Sequence, residues 1–578
     1  MATATRTNRS LERFPCVTRR VTIITTRVEQ IGLLTLITRT DCRMWIDRLR
    51  SQLQTEISPE VVERHETHIS WVLLAGEWAW KFKKPVNFGF IDFSTLEKRR
   101  FACEEELRIN RRTAAELYVA VATVTGSETE PTLNGTGPIL DYAVQMRRFP
   151  TESLAATLLA QKALTRDQFT ALARSLAEFQ QAAEVATPET NWGQAEQVFA
   201  PVADTIETLE RALQEANPNA SAEQSTAPNA GKPAASPDRR DNQRGEQLQS
   251  IRNWCASEFA RLRGWFAERK QQGRIRECHG DLHLGNLVLW NGRLTPFDAI
   301  EFNPALRWID VANELAFTTM DLIDRGRADL SAWFLNQWLE QSGDYAALAG
   351  LRFYQVYRAL VRAKVAWLQR QPLLAARIAS QSAGQSIPES ATESELRERE
   401  REYLALAERL IAPREPRLWI TCGVAGSGKS TGTADLLCQS GAIRIRSDVE
   451  RQRLHGRTPE SRTPAHERAA VYSPAGQQQV YDRLLQLSEQ ILTTGNSVIV
   501  DATFLSRRQR DLFAALAARL GVPFEILLFD QPLEQLVDRV RQREKSGSDA
   551  SEAGEDVLRD QWQRWERPAA EEPVRRMS

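Results

Sequence analysis

The densest grouping of reactive side chains is ECHGDLHLGN, residues 277–286, which holds two histidines, an aspartate and an asparagine. Two chemistries fit it. The spacing His279-x-Asp281-x-His283 could place imidazoles and a carboxylate on one metal ion. The same stretch could be the catalytic loop of a phosphotransferase, in which Asp281 accepts the proton of an attacking hydroxyl and Asn286 holds Mg²⁺. A histidine-based metal site needs further ligands at fixed offsets. The chain has six His, and those at 65, 68, 455 and 466 offer no such spacing. Downstream, LVLW-NG-RLTPFD reads as two strands around an Asn-Gly turn. That hairpin would return Asp298 to the side of Asn286, so that Asn286 and Asp298 coordinate Mg²⁺ while Asp281 is the base. His279 then shapes the loop, and His283 is left without a role.

A site of this kind requires a strand lysine for the nucleotide phosphates and a helix glutamate to hold it. THISWVLLAGEWAWKFKKP reads as a hairpin turning at Gly76-Glu77, with Lys81 and Lys83 on one face of its second strand. STLEKRRFACEEELRINRR then opens on Ser94-x-x-Glu97, a capping box. At the helical period, Leu96, Cys103, Leu107 and Asn110 form one stripe. Glu106 flanks that stripe, Glu104 lies further off and Glu105 points away, so Glu106 is the expected partner of Lys81. A plain amphipathic helix with solvated carboxylates is the blander reading.

RLWITCGVAGSGKSTGTADLLCQSG carries the most specific motif. Gly423-x-x-x-x-Gly428-Lys429-Ser430 is a complete P-loop, with an apolar strand before it and a helical stretch after it. Gly423, Gly426, Ser427, Gly428 and Thr431 belong to the cradle. Its glycines let backbone N–H groups converge on phosphate oxygens at a helix N-terminus. Lys429 would reach the β- and γ-phosphates, and Ser430 would bind Mg²⁺. The next strand, AIRIRSD, ends at Asp448, with Arg451 following. Doubly wound sheets place substrates at that end, where a carboxylate can take a proton and an arginine can grip a phosphate. A helix-capping aspartate beside a solvated arginine is the alternative. NSVIVDAT presents Asp501 for the Mg²⁺ shell, and FEILLFD is a further strand. PLEQLVDRVRQREK sets Arg539 and Arg543 on one helix face, as phosphate clamps or as surface charges.

Residues 416–566 resemble a P-loop kinase of the polynucleotide-kinase and gluconate-kinase type. The resemblance implies residues 423–431 as phosphate cradle, Asp448 as base, Arg451 as substrate contact and Arg539 or Arg543 as lid arginine. Residues 45–380 resemble the aminoglycoside phosphotransferase family, within the protein-kinase-like fold. There, His279-Gly280-Asp281 through Asn286 matches the catalytic loop and Asp298 the metal-binding aspartate. Asp310, in RWIDVANELAF, matches an aspartate that braces the loop from a helix start. No G-x-G-x-x-G precedes Lys81; ETHIS stands there, with the Thr67 and Ser70 hydroxyls as replacement phosphate contacts. Drug-resistance members of that family read amino sugars with acidic loops near the C-terminal end. Here YRALVRAKVAWLQRQ is basic, with Arg358, Arg362 and Lys364, which argues for a neutral or anionic acceptor. The joined arrangement resembles bacterial bifunctional aminoglycoside phosphotransferase/ATP-binding proteins.

Composition bounds these readings. The 578 residues suffice for several cores, and 75 basic against 75 acidic residues give a net charge of +0. That balance weighs against a dedicated nucleic-acid binder. The seven Cys are scattered without a C-x-x-C pair, which argues against a disulfide framework and for a reduced, cytoplasmic setting. No apolar run nears the ~20 residues needed to span a bilayer. Residues 1–44 share the Thr/Arg bias of transit peptides but read as a disordered extension or an upstream start. Residues 217–247, rich in Asn, Ala, Pro and Ser, read as a disordered insertion within the first domain. Residues 381–415 read as linker and helix, and 567–578 as a tail.

The expected fold is α/β multidomain: a protein-kinase-like α+β domain, then a P-loop doubly wound parallel α/β domain. The expected activity is ATP- and Mg²⁺-dependent transfer of a γ-phosphoryl group to a hydroxyl of a small molecule. The P-loop half would bind ATP and act as a second small-molecule or nucleotide kinase. No membrane partner is expected, and nucleic acid enters only through the 5′-hydroxyl-kinase likeness of Asp448-x-x-Arg451. The rival reading makes one half a regulatory nucleotide sensor or ATPase switch.

Overall fold

The computed structural model describes residues 44–56, 61–67, 69–87, 89, 91–216, 239–382, 389–546 and 554–577. Of the expected N-terminal extension only Met44 lies among them, and the expected insertion lies outside them as far as residue 238.

The chain opens with α1 (Met44–Glu56) and a six-stranded antiparallel sheet in the order β1-β2-β3-β6-β4-β5. Its strands are β1 (Glu63–Glu66), β2 (Ser70–Ala75), β3 (Trp78–Lys83), β4 (Tyr118–Gly126), β5 (Pro131–Leu133) and β6 (Ile139–Arg147). Period-2 alternation decides its faces. Trp71, Leu73, Trp80 and Phe82 meet Trp45, Ile46 and Leu49 of α1 in one core. Lys81 and Lys83 therefore point to the other face, where α2 (Leu96–Ala114) packs. The cap of α2 falls one residue later than expected. Thr95 accepts from Lys98 N at 3.3 Å, because Asp92 already engages the Ser94 hydroxyl at 2.6 Å.

A helical layer follows: α3 (Ala155–Ala160), α4 (Arg166–Ala182), α5 (Ala195–Ala216) and α6 (Arg239–Gln271). Then come β7 (Ile275–Glu277), the hairpin β8 (Leu287–Trp290) and β9 (Arg293–Pro296), and β10 (Trp308–Asp310). Asn291 and Gly292 take φ of 49° and 78°, as a two-residue type I′ turn requires. Four helices close this domain: α7 (Val311–Asp324), α8 (Ala328–Ser342), α9 (Leu348–Ser382) and α10 (Ala391–Ile411).

Two boundaries differ from the sequence reading. Residues 239–247 are the start of α6, tied to α10 by Arg244 and Glu400 at 2.5 Å. Likewise the charged helix expected within 381–415 is α10, which docks on the first domain: Tyr403, Leu404, Ala407 and Leu410 form a buried helical stripe against α9. Its charged first half conceals this, since Glu400 is buried between Arg244 and Arg370.

The second domain is a five-stranded parallel sheet in the order β12-β13-β11-β14-β15. Its strands are β11 (Leu418–Cys422), β12 (Ile443–Arg446), β13 (Val498–Asp501), β14 (Phe524–Leu528) and β15 (Val574–Arg576). Around it run α11 (Lys429–Gly432), α12 (Ala434–Ser440), α13 (Ser447–Leu454), α14 (Arg468–Val471), α15 (Pro474–Thr493), α16 (Arg507–Leu520), α17 (Leu533–Ser546) and α18 (Glu555–Arg564). The expected tail supplies the fifth strand, and Glu572 pairs with buried Arg510 at 2.7 Å.

The two domains share an interface built on α8. β12 is an edge strand, whose unpaired backbone groups need a partner. Buried Asn336 of α8 supplies one: its Nδ2 donates to Ala442 O at 3.0 Å, and its Oδ1 accepts from Arg444 N at 2.7 Å. Ala332 of α8 joins Trp419, Leu437, Ile499 and Phe529 in an apolar cluster beneath. Among the described residues, no helix is long and apolar enough to cross a membrane. Asn336→Ala is expected to cost about 1–3 kcal/mol by stranding a buried N–H and C=O. Urea unfolding should show this as a lower midpoint, with the second domain's transition moving first.

Candidate functional site

Lys81, Glu106 and Asp298 meet although 217 residues separate the first from the last. Lys81 Nζ lies 2.9 Å from Glu106 Oε1 and also donates to Asp298 Oδ1. Glu106 is fully buried and serves two lysines, since Lys83 Nζ stands 2.5 Å from its Oε2. Lys83 in turn pairs with buried Glu301. Burial opposes the Lys81 charge, but Asp298, Glu106 and Glu301 outweigh it and hold the ammonium well above its ordinary value. Burial likewise opposes the Glu106 carboxylate, and the two lysines prevail and hold its pKa down. Lys83 has no exposed side-chain surface, whereas Lys81 keeps 14% and Asp298 41%. Only Lys81 can therefore present its charge to a ligand.

The catalytic-loop residues are fixed from below. Gly280 has φ +89°, and a Cβ there would stand 2.7 Å from Leu306 O, so glycine is required. His279 donates from Nε2 to Phe297 O at 2.8 Å, while its Nδ1 faces Asp281 N at 3.3 Å. Burial lowers its pKa, so it is a neutral brace. His283 accepts from Gly285 N through Nδ1 at 2.9 Å, which leaves Nε2 3.6 Å from Asp281 Oδ2. Three of the four ring nitrogens are thus engaged, and among the described residues no group of three His, Cys, Asp or Glu could hold a metal ion. Asn286 Nδ2 donates to Asp281 Oδ2 and to Asp281 O, both at 3.0 Å. Burial raises the Asp281 pKa, but His283, Arg358 and Arg362 outweigh it, and the net is well below the usual carboxylate range.

Two sequence expectations fail here. Asp310 does not brace the loop: it caps α7 through Ala312 N at 2.8 Å and is gripped by Arg269 at 2.7 and 2.9 Å. The bracing comes from one face further along α7. Glu314 accepts from His279 N and Gly280 N, Thr318 donates to Leu282 O at 2.7 Å, and Asp321 accepts from Leu284 N at 2.8 Å. The i, i+4, i+7 spacing of those three was the available signal. Thr67 and Ser70 do not form a phosphate cradle either. The Thr67 hydroxyl is spent on the Ser70 backbone, and Ser70 is fully buried.

The second site surrounds the P-loop in a cavity of about 1810 Å³ that Asp448, Arg451, Asp501 and Arg539 also line. Gly423 has φ +155°, and a Cβ there would stand 2.6 Å from Phe529 O. Lys429 Nζ folds back onto Gly423 O at 3.0 Å and Val424 O at 2.8 Å. Ser430 Oγ donates to Asp501 Oδ2 at 2.6 Å, so a hydroxyl and a carboxylate converge beside the cradle. Asp448 lies in the first turn of α13 and pairs with Arg451. Burial disfavours its charge, but Arg451, Arg446 and Lys429 outweigh it and lower its pKa. Arg539 sets Nη1 3.7 Å from where a Cβ on Gly428 would stand. The side chain of Arg543 lies outside the described residues. Sequence reasoning missed Gln561, which accepts from Ala425 N at 2.8 Å, and Arg446, held by Glu340 of the first domain at 2.8 Å.

Both sites carry hard oxygen donors of the kind Mg²⁺ takes when phosphates and water complete its shell: Asp298 with Asn286, and Ser430 with Asp501. Strand order and P-loop make the second domain a P-loop α/β domain. The antiparallel sheet, the Lys–Glu pair and the loop–hairpin–aspartate order make the first protein-kinase-like. Residues 418–568 match the family model described as an AAA domain. An uncharacterized protein of Mycobacterium tuberculosis is 28% identical over 496 residues, 85% of this chain and 88% of that one. Among solved structures, an ethanolamine kinase of Plasmodium vivax aligns at 11% identity over 67% of this chain and 95% of its own, with a TM-score of 0.33. The APS kinase of Mycobacterium tuberculosis aligns at 20% identity over 28% of this chain and 90% of its own, with a TM-score of 0.22.

The two lysines should separate on substitution. Lys81→Met is expected to abolish nucleotide binding at the first site while the fold survives. Lys83→Met, which leaves buried Glu301 without its lysine and Glu106 with Lys81 alone, is expected to cost about 3–5 kcal/mol of stability. Nucleotide titration and chemical denaturation of both variants check this.

Proposed function

We propose that the chain is an ATP-dependent phosphotransferase with two nucleotide sites. The first transfers the γ-phosphoryl group to a hydroxyl of a small molecule, and the P-loop domain binds ATP and acts as a second kinase. The observation that carries the first reading is the meeting of Lys81, Glu106 and Asp298, with Asp281 hydrogen-bonded to Asn286. In that reading Lys81 orients the nucleotide phosphates and Glu106 fixes Lys81. Asp281 accepts a hydrogen bond from the acceptor hydroxyl. The hydroxyl oxygen attacks the γ-phosphorus, the bond from that phosphorus to the ADP oxygen breaks, and the released proton passes to Asp281 and then to solvent. Asp298 and Asn286, and Ser430 and Asp501, would hold Mg²⁺, which when bound neutralises phosphate charge.

A carboxylate held well below its usual range is a poor base early in a reaction. It suits a loose transition state, in which the hydroxyl loses its proton late and the aspartate mainly orients it. In the P-loop domain Lys429 and Arg539 would take the phosphates, Asp448 the acceptor proton and Arg451 an anionic part of the acceptor. A regulatory reading is favoured by one contact, the hold of Glu340 on Arg446 across the domain interface. It requires that Glu340→Gln alter nucleotide affinity at the first site.

Asp281→Asn and Lys429→Ala, each assayed against a panel of metabolite hydroxyls, test the two-kinase reading. Each should remove one activity, by about 10³-fold or more, and spare the other. Retention of all transfer in both variants would sink it. The pH profile of the first activity follows from the Asp281 shift. Its folded-state pKa is depressed, so the carboxylate stays ionised to below its ordinary value of about 3.9. The acid limb of kcat should therefore show no carboxylate titrating between pH 4 and 6 (about the usual window). A base ionising with a pKa near 6 would contradict the assignment.

A further inference from the structure

We infer that the acceptor at the protein-kinase-like site is a small anionic hydroxy compound whose carboxylate or phosphate is held by Arg358 and Arg362. The inference rests on the phosphotransfer reading of Asp281 and names the substrate class of that site. Arg358 and Arg362 stand one turn apart on α9, on the face toward the catalytic loop. Arg358 is only 4% exposed, and its single hydrogen bond runs from Nε to Asn313 Oδ1 at 2.8 Å. Its guanidinium packs 4.7 Å over the ring of Phe317, against which His283 also sits. Among the described residues its Nη1 and Nη2 have no hydrogen-bond acceptor. Arg362 bonds the Tyr403 hydroxyl at 3.3 Å and lies 3.4 Å from His283 Nε2, which itself faces Asp281. Neither arginine forms an ion pair among the described residues.

Asp281, itself bonded by Asn286 at 3.0 Å, is the carboxylate that faces both charges, and the others nearby are engaged. Asp321 is used by Leu284 N and by Arg325 at 3.0 Å, and Asp324 by Arg399 at 2.8 Å. Lys364, the third cation of the segment, turns away to Asp204 at 2.6 Å. The planar guanidinium fork matches a carboxylate or phosphate. A polycation would set its charge against both arginines.

The test uses the full chain carrying Lys429→Ala, with Mg²⁺ and a non-hydrolysable ATP analogue, and calorimetric titration of matched probes. D-glycerate and D-gluconate carry a carboxylate, glycerol 3-phosphate carries a phosphate, and glycerol and sorbitol are their neutral mates. At least one anion should bind about tenfold or more tightly than its neutral mate. Which arm binds identifies the anion. Arg362→Gln should abolish the preference and Arg362→Lys recover part of it, with Arg358→Gln as a second variant. Equal binding of mates, failure of every anion up to about 10 mM, or a preference that survives Arg362→Gln overturns the inference. Anion binding without transfer in the parent would overturn the phosphotransfer reading and leave the anion site standing.

Discussion

Glu106 is the constraint on which the first domain turns. It has no solvent contact, and both its oxygens face lysines from one strand. A carboxylate in that position must stay ionised and paired, because without a cation it would be an uncompensated buried charge. The pairing locks three separate pieces of chain: the strand β3, the helix α2 and the segment from Asp298 to Glu301. Asp298 is held there at φ +62°, outside the usual range for a residue with a side chain. Asp298 N donates to the Tyr118 hydroxyl at 3.0 Å, and Ala299 N to Asn110 at 2.8 Å. Strain at one residue is thus supported by neighbours on α2 and β4, which is how strained backbone at a working site persists.

The second domain rests on a different principle. Its P-loop geometry comes from glycines and from the strand-to-helix turn. Its edge is completed by a helix of the first domain. Asn336 replaces the strand that would otherwise extend the sheet, and Glu340, one turn on, holds Arg446 at the rim of the P-loop cavity. An arginine lining one site is therefore positioned by a side chain of the other domain.

Much of this was legible in the sequence, for physical reasons that differ by element. The P-loop, the Asn-Gly hairpin and the Lys81–Glu106 pairing each follow from local rules about glycine, turns and helical period. The bracing of the 279–286 loop falls to Asp310 only through the family resemblance. Nothing local says that Arg269 consumes it while Glu314 and Asp321 face the loop. The helix within residues 381–415 is legible, but its docking is not, because its charges hide a narrow apolar stripe. Residues 567–578 read as a tail because a three-residue strand has no periodicity to detect. Arg446 and Gln561 depend on long-range approach and left no signal.

The central claim is that one folded chain holds two separate nucleotide sites. The direct measurement is the stoichiometry of Mg²⁺-dependent binding of a non-hydrolysable ATP analogue to the intact protein. The account predicts two equivalents per chain, with Lys81→Met and Lys429→Ala each removing a different one. A single equivalent, lost in either variant alone, would contradict it.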